Sequence, residues 1–489
     1  MKTSPWIFLL VVFSSCAVAN SYNPNKKFSP EALKADYDLM RNALEESHPS
    51  LYWYSPKDSI DYFFEVGREK LTDSLTEVKF RNVLSYVISK IQCGHTSVRP
   101  SEAALGYTNR TNPSFPLFIK TWPDTTVVTA NINRKDSAVV RGVILKEIDN
   151  KPIQQIIDSF FSHLSADGYN LTYKYQSLSN GSAFRSMYNS IYGLKANTPV
   201  KFIDTTGVLR QATLKLYVPA ADSQRIRVAP EKITQRERRQ LSLQAARNLK
   251  IDTTLNTAFL EVNTFTKHNR LRGFFRSSFK QIKKEGIDNL VVDIRSNGGG
   301  SVTLSNLLTK YIADKPFKIA DSLYAIKRWT KYGKYQQNRL LNWMFLQFLT
   351  RRKEDGNYHF TLFENKYFKP KKKHHFDGTT YILTGGNSFS AATLFSKALI
   401  DQENVIVVGE ETGGGAYGNT AWLIPDLKLP NTGVRVRLPL FRLVIDKNAE
   451  KGRGVMPEVE ALPAVNAIRK GEDFKVEKVK ELIKGSLPK

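Results

Sequence analysis

Two segments of this chain share one pattern, in which an apolar strand runs into a glycine-rich turn and then directly into an amphipathic helix. The first strand covers residues 290–295 and enters the turn 296–301, and the second covers 381–383 and enters the turn 385–390. A nearly continuous apolar strand is typical of a sheet that is covered on both faces. Together the two segments predict an α/β core whose sheet is covered on both faces.

Ser390 lies where the second turn meets its helix. A serine in the first turn of a helix is surrounded by unpaired backbone N–H groups and by the positive end of the helix dipole, so an oxyanion formed there is stabilised. The buried face of the helix begins directly after this serine, with Ala391, Leu394 and Phe395. We therefore predict that Ser390 is a nucleophile and that Ser388, the competing candidate, serves as the N-cap.

The charge of the chain restricts its partners. The formal net charge is +26 over 489 residues, and the basic residues are spread along the sequence. No zinc-ligand spacing, helix-turn-helix signature or aromatic RNA-binding motif accompanies them. We predict a solvated basic surface and no nucleic-acid partner, while an anionic membrane surface is a partner class that this charge favours.

The first 19 residues have the pattern of a secretory signal peptide, with Lys2, an apolar run at 6–13 and Ala17-Val18-Ala19 before the cleavage point. The apolar run is shorter than the ~20 residues that span a bilayer. We expect export to the periplasm or the extracellular space. The segment 14–16 partly resembles a lipoprotein cleavage site, so a lipid anchor on Cys16 is the alternative. Cys93 is the only other cysteine, and no intrachain disulfide is expected.

Changes in composition and hydrophobic pattern along the chain predict the domain organisation. Residues 27–112 read as a helical domain: one helix begins after Ser29, and a second begins after Thr76 and ends before Cys93-Gly94-His95. Residues 113–220 have short β-rich runs and resemble a PDZ-like α+β domain, a type that binds peptide ends by strand addition; an insert that only packs on its neighbour is the alternative. A charged connector at 221–250, a catalytic α/β domain at 251–470 and a tail at 471–489 follow.

Four segments occur in the order found in the S41 family of serine peptidases, which includes the C-terminal processing proteases and the tricorn core. They are DIRSNGGG at 293–300, SFSAA at 388–392, VGEETGG at 408–414 and GVMPE at 454–458. The chain resembles this family over nearly all of its length after the signal peptide. The resemblance implies a crotonase-like α/β core, Ser390 as the nucleophile, and an oxyanion hole formed by the N–H of Ala391 with that of Gly299 or Gly300.

The general base separates two branches of the family. In the processing-protease branch, the resemblance implies a Ser–Lys dyad. This chain has no lysine between Lys397 and Lys428, and Lys397 is two helical turns, roughly 10 Å, beyond Ser390, so a Ser–Lys dyad is not expected here. The tricorn branch takes its base from a histidine in the amino-terminal region, and His95 holds the matching position. Its ordinary pKa of about 6.5 suits general acid–base chemistry near neutral pH.

The sequence leaves more than one candidate for the residue that orients His95. The tricorn branch has a serine directly before its histidine, where this chain has Gly94, and a late glutamate near the position of Lys451. Glu450 and Glu458 are the candidates that lie closest to that position. Glu410 and Glu411 are further possibilities.

The resemblance implies an exported endopeptidase that cleaves protein or peptide substrates through an acyl-enzyme on Ser390, with no metal and no organic cofactor. A basic, aromatic insertion at 325–376 separates the two catalytic turns and is either a lid or a surface subdomain. The alternative function is a non-catalytic crotonase-like or PDZ-like module that binds peptides or apolar ligands. The sequence does not determine the oligomeric state.

Overall fold

The computed structural model describes residues 22–107, 113–134, 136, 138–219 and 233–486. The predicted signal peptide and Cys16 lie outside the described residues. Within the described part of the chain, no helix is long and apolar enough to cross a membrane.

The amino-terminal domain is helical, as predicted. The Ser29 hydroxyl caps the first helix by accepting from the N–H of Ala32, and Thr76 caps the third in the same way through Lys79. Both caps confirm the helix starts read from the sequence. The elements of this domain are α1 (Pro30–Ser47), α2 (Lys57–Glu69), α3 (Glu77–Ser89), α4 (Glu102–Gly106), β1 (Lys27–Phe28), β2 (Leu75–Thr76) and β3 (Val98–Arg99).

The next domain is a small α+β unit with its own apolar core around Phe160 and Phe184. Its antiparallel sheet has the strand order β4-β5-β6-β8-β9, with β7 paired to β6. Its elements are β4 (Leu117–Trp122), β5 (Thr125–Asn131), β6 (Ile144–Ile148), β7 (Lys151–Pro152), β8 (Asn197–Ile203), β9 (Leu209–Lys215), α5 (Ile153–Phe161), α6 (Leu171–Leu178) and α7 (Ala183–Tyr192).

The catalytic domain is built on the predicted α/β sheet, whose order is β10-β11-β12-β16-β17-β22. All neighbours run parallel except β10 and β11. The strands are β10 (Arg247–Asp252), β11 (Thr257–Val262), β12 (Asn289–Asp293), β16 (Thr379–Thr384), β17 (Val405–Gly409) and β22 (Val459–Glu460). The packed helices include α9 (Leu271–Lys284), α10 (Val302–Ile312) and α12 (Ala391–Lys397), while α8 (Gln235–Ala246) is largely exposed. Because β10 begins at Arg247, the last residues of the predicted connector belong to this sheet.

Two smaller sheets complete this domain. One has the order β14-β15-β13-β21-β18, and the other, β19-β20-β3, joins the catalytic domain to the amino-terminal domain. Their strands are β13 (Ser322–Ala325), β14 (Arg351–Arg352), β15 (Tyr358–His359), β18 (Gly418–Asn419), β19 (Asp426–Lys428), β20 (Arg435–Arg437) and β21 (Arg442–Val444); the insertion also holds α11 (Arg339–Leu349).

The prediction of a carboxy-terminal tail at 471–489 is wrong over most of that range. Residues Phe474–Ser486 form helix α14, which follows α13 (Val465–Lys470). Val479 and Ile483 are buried against Val291 and Tyr381 of the main sheet. Apolar residues at helical spacing therefore make this segment a packed layer of the catalytic domain.

Candidate active site

Ser390 occupies the N-cap position of α12, with φ 57° and ψ −117°. A positive φ is uncommon for a residue other than glycine, and such strained positions cluster at functional sites. The hydroxyl forms no capping bond to the helix. The turn thus presents an uncommitted serine side chain at the carboxyl end of a central parallel strand.

Ser388 has a structural role that differs from the predicted one. Its buried hydroxyl donates to the carbonyl of Ile294 at 2.8 Å and accepts from the N–H of Gly385 at 3.2 Å. It therefore ties the two glycine-rich turns together and is not the N-cap of α12. With both hydrogen bonds engaged inside the turns, Ser388 is the weaker nucleophile candidate.

The predicted oxyanion donors lie beside Ser390. A Cβ atom on Gly299, whose φ is +97°, would come within 2.7 Å of the Ser390 Cβ, so only glycine permits this approach. The N–H of Gly299 donates to Oδ1 of Asn297 at 2.9 Å and is engaged. Among the described residues, the N–H groups of Gly300 and Ala391 have no hydrogen-bond acceptor. Of the two glycines, Gly300 is thus the one whose N–H is free to act with that of Ala391.

His95 is buried, and its ring lies 4.6 Å from the ring of Phe389, the residue before Ser390. Neither ring nitrogen has a hydrogen-bond partner in the described part of the protein. Burial, followed by the positive charge of Arg437, lowers the pKa of His95 to about 3. His95 is therefore neutral at physiological pH, the protonation state that a general base requires.

Strand β3 fixes the position of His95. It pairs with β20, and the N–H of Arg437 donates to the carbonyl of Ser97 at 2.9 Å. On the same turn, Oγ1 of Thr96 lies 2.7 Å from Nε2 of His48. Main-chain pairing between β3 and β20 thus holds His95 of the amino-terminal domain against the catalytic domain.

Asp167 is a site residue that the sequence did not reveal. It is buried, with Oδ1 accepting from the N–H of Gly94 at 2.7 Å and Oδ2 accepting from the N–H of Gly415 at 3.2 Å. Its Oδ1 also lies 3.9 Å from Nδ1 of His95. Burial raises the pKa of Asp167 to about 7, against the lowering effect of the two N–H groups.

The four glutamates considered from the sequence are engaged elsewhere or exposed. Glu458 accepts from the N–H of Val407 at 2.8 Å, and Glu450 is exposed. Glu410 pairs with Lys475 at 2.6 Å, and Glu411 accepts from the N–H of Gly454 at 2.6 Å. The structure does not bring Glu450 or Glu458 to His95: among the described residues neither forms a hydrogen bond or ion pair with it, and the acid near its ring is Asp167.

Gly94 stands where the tricorn branch has serine, and packing explains the difference. A Cβ atom at this position would lie 2.7 Å from Cζ of Phe389 and 3.1 Å from Oδ1 of Asp167. Contacts this short force a neighbour to move. Glycine at 94 therefore allows Phe389 and Asp167 to flank His95.

Comparisons with known proteins concern the family and the fold of the domain that carries Ser390. The model of peptidase family S41 matches residues 256–461, the range that contains both glycine-rich turns and Ser390. This segment is similar to peptidase family S41, and the match indicates a serine-type peptidase. His95 and Asp167 lie outside the matched range.

Solved structures match most of the length of the chain. Mature CPAF complexed with lactacystin is 16% identical with a TM-score of 0.65, and the match covers 93% of this chain and 98% of that chain. The photosystem II D1 C-terminal processing protease is 14% identical with a TM-score of 0.40, over 91% of this chain and 98% of that chain. At these identities the likeness concerns the fold, and it rests on the first structure alone. A comparison with curated proteins gives no match.

Ser390 opens into a cleft of about 1850 Å³. His95, Tyr173 and Ser390 line it, one from each of the three domains, and Phe363 of the insertion lines it as well. A cleft of this size is large enough for an extended peptide. The insertion thus contributes Phe363 to the wall of the cleft.

Arg437 gives the cleft a positive charge. Its guanidinium forms no ion pair with any described residue, and its buried Nε has no hydrogen-bond partner there. Burial lowers the pKa of Arg437. In the described part of the chain, no group of three or more His, Cys, Asp or Glu side chains is arranged to hold a metal ion.

Proposed function

We propose that this protein is an exported endopeptidase that hydrolyses peptide bonds through an acyl-enzyme on Ser390, with His95 as the general base and Asp167 as the residue that orients it. The single observation that carries this proposal is the strained Ser390 turn, packed against Gly299, in the same cleft as a buried neutral histidine. Acyl transfer needs a nucleophile, a base and an oxyanion site close together.

In the first step, His95 removes the proton from Oγ of Ser390 as Oγ attacks the peptide carbonyl carbon. The carbonyl oxygen becomes an oxyanion that accepts from the N–H groups of Ala391 and Gly300. The C–N bond then breaks, and the leaving amine takes the proton from His95. Each fixed donor of this kind contributes on the order of 10²–10³ in rate.

Asp167 supports this step through the imidazole. Proton transfer requires one ring nitrogen of His95 to face Oγ while the other carries a hydrogen, and an ionised carboxylate next to Nδ1 favours that tautomer. The described separation of 3.9 Å is longer than a hydrogen bond. We propose that the His95 ring turns toward Asp167 and Ser390 when a peptide enters the cleft, as catalytic contacts tighten on substrate binding.

Deacylation repeats the chemistry with water. His95 takes a proton from a water molecule whose oxygen attacks the acyl carbon, and the collapse of the second oxyanion returns the proton to Oγ of Ser390. Protein or peptide substrates follow from the family, and every proton in this cycle is held by His95, Ser390, water or the substrate.

The test is labelling of the purified protein with a fluorophosphonate, which phosphonylates activated serines. We expect labelling of wild type, none for Ser390→Ala, and at least ~100-fold slower labelling for His95→Ala. Ser296→Ala, which removes a serine of the same cleft, is the matched control and should label like wild type. Labelling that persists in Ser390→Ala excludes this nucleophile. A wild type that binds peptides without labelling supports the non-catalytic module instead.

Export is the second part of the proposal. The pattern of residues 1–19 supports cleavage before Asn20, and the segment 14–16 supports lipidation of Cys16 as the alternative. The net charge of +26 supports association with an anionic membrane surface. Mass spectrometry of the amino-terminal peptide from the native host distinguishes a free Asn20 from a lipid-modified Cys16. An intact Met1 would contradict export by either route.

A further inference from the structure

Helix α11 of the insertion presents an apolar face to solvent. Phe348 is 72% exposed, and Leu340 and Leu341 are each 66% exposed. Trp343, Met344 and Leu349 of the same helix and the nearby Trp329 are exposed as well. Contiguous exposed apolar side chains of this kind mark an interaction site. We call these seven residues the α11 face.

The helix is held rigidly in this orientation. The ring of Phe345 lies 5.1 Å from that of Phe360 and 5.8 Å from that of Phe441, both in the core. On its inner side, Asn342 donates to the carbonyl of Gln337 at 2.8 Å. A polar residue is thus buried while leucines are exposed, the reverse of an ordinary surface helix. The α11 face is therefore a fixed feature of the fold.

The surroundings of the α11 face are basic. Residues 327–353 contain eight Lys or Arg and no Asp or Glu. Lys331, Lys334, Arg339, Arg351 and Arg352 are exposed, and none of them pairs with an acidic group in the described part of the chain. An anionic membrane surface has an apolar acyl boundary below a layer of negatively charged headgroups. The apolar side chains of the face suit the first layer, and the unpaired cations around them suit the second.

We propose that the α11 face docks on the surface of an anionic lipid bilayer, with its leucine, tryptophan and phenylalanine side chains inserted below the headgroups. Trp329 and Trp343 are of the residue type that is enriched at this depth. A cavity of about 420 Å³ adjoins the face, and its lining combines Trp329, Leu340 and Trp343 with the cations Lys327, Arg328 and Arg339. This inference deepens the proposed membrane association and does not depend on peptidase activity.

Charge distinguishes this occupant from a second copy of the chain. A symmetric dimer through the α11 face would bring the basic residues of two copies together, with no acidic residue in 327–353 to offset them. An anionic bilayer supplies the opposite charge over the whole surface. We therefore assign the face to lipid.

The test is co-sedimentation of the full chain carrying Cys16→Ser with vesicles of phosphatidylcholine alone and of an equimolar mixture with phosphatidylglycerol. We expect preferential binding to the anionic vesicles. Leu341→Ser/Phe348→Ser should weaken that binding ~10-fold or more. Arg351→Gln/Arg352→Gln should weaken binding to anionic vesicles and leave binding to neutral vesicles unchanged.

Matched controls change equally exposed residues elsewhere. Leu105→Ser/Leu209→Ser removes two exposed leucines, and Arg272→Gln/Arg276→Gln removes two exposed arginines of α9. Both should bind like the parent, and circular dichroism should show the same fold for all variants.

Three outcomes overturn the proposal. If Leu341→Ser/Phe348→Ser binds like the parent, the membrane association does not use α11. If the parent binds no vesicles, the association itself fails, whatever the labelling of Ser390 shows. If sedimentation velocity shows that the same variant turns a dimer into a monomer, the α11 face is an interface between two copies.

Discussion

Oδ1 of Asp167 lies 3.9 Å from Nδ1 of His95, and both side chains are buried. Burial acts on them in opposite directions, since it raises the pKa of the carboxyl group to about 7 and lowers that of the imidazole to about 3. Both groups are thus held in their uncharged forms at mildly acidic pH. The pair gains a negative charge when Asp167 ionises near neutral pH.

This relationship predicts the effect of Asp167→Asn on catalysis. The amide cannot stabilise the imidazolium that forms during acyl transfer, so kcat/KM for a fluorogenic peptide should fall by roughly 10²–10⁴-fold. Asp36→Asn, a buried acid that accepts from Asn431 and Thr432 far from the cleft, is the control and should retain kcat/KM. If Asp167→Asn keeps wild-type kinetics, Asp167 has only a structural role.

The pH dependence of activity should report the same carboxyl group. Because the ionised form of Asp167 predominates only above its raised pKa of about 7, kcat/KM should rise with pH with a midpoint near 7. A stopped assay between pH 5 and pH 9 measures this profile. In Asp167→Asn the rise near pH 7 should disappear, and a midpoint that persists in that variant would assign it to another group.

Gly299 and Gly298 form a matched pair for the oxyanion turn. A Cβ atom on Gly299 meets Ser390 at 2.7 Å, whereas one on Gly298 meets no atom within 4 Å. Gly299→Ala should therefore displace Ser390 and slow fluorophosphonate labelling by ~100-fold or more, with a loss of about 1–3 kcal/mol in the free energy of unfolding. Gly298→Ala should label at the wild-type rate. Equal labelling of the two variants would show that Ser390 does not need this contact.

Acid should destabilise the fold through its buried histidines. Burial lowers the pKa of both His48 and His95 to about 3, below the ordinary 6.5, so their stabilising contribution is present above pH 6.5 and is lost as pH falls toward 3. The raised pKa of Asp167 has the opposite effect on the free energy of unfolding: between pH 3.8 and about 7, its contribution increases as pH falls. In that range it offsets the loss from one histidine.

The contribution of one histidine can be isolated by difference. Between pH 6 and pH 4, wild type should lose ~1.4 kcal/mol per pH unit more than His48→Gln. Urea unfolding at several pH values measures both slopes. Parallel curves for the two proteins would mean that His48 is protonated in the folded state.

Lys475 and Glu410 should make the last helix essential for stability. Nζ of Lys475 donates to Glu410 at 2.6 Å and to the carbonyl of Thr384 at 2.9 Å, and both side chains are buried. Lys475→Met leaves a buried unpaired carboxylate, so the free energy of unfolding should fall by about 3–5 kcal/mol. Lys478→Met, which changes an exposed lysine of the same helix, should cost less than about 1 kcal/mol. Comparable losses in the two variants would contradict this assignment.

The strand, turn and helix around Ser390 could be predicted because their signal is local. The apolar strand, the glycine-rich turn and the helix around Ser390 are adjacent in the sequence, and β16 and α12 form where their patterns predict. The C-terminal helix had a similar local signal, since Val476, Val479 and Ile483 are at helical spacing. Charged residues between these three positions make the helical pattern less evident in the sequence.

Asp167 could not be predicted because its environment is formed by three domains. It lies in a loop of the small domain, 72 residues after His95, and no spacing rule connects the two positions. Glu450 and Glu458 were favoured because they lie close in sequence to the family position. Glu458, however, faces Val407 at the edge of the main sheet. Tertiary packing decides which acid reaches a histidine, and that information is not local.

The loop that carries Asp167 contacts all parts of the site at once. Asp167 accepts from Gly94 of the amino-terminal domain and from Gly415 of the catalytic domain, and the N–H of Tyr169 donates to Gly452 at 3.0 Å. The proposed triad therefore exists only after the three domains have docked. A chain that is still unfolded therefore lacks the proposed triad, and completing the fold is itself the step that assembles it.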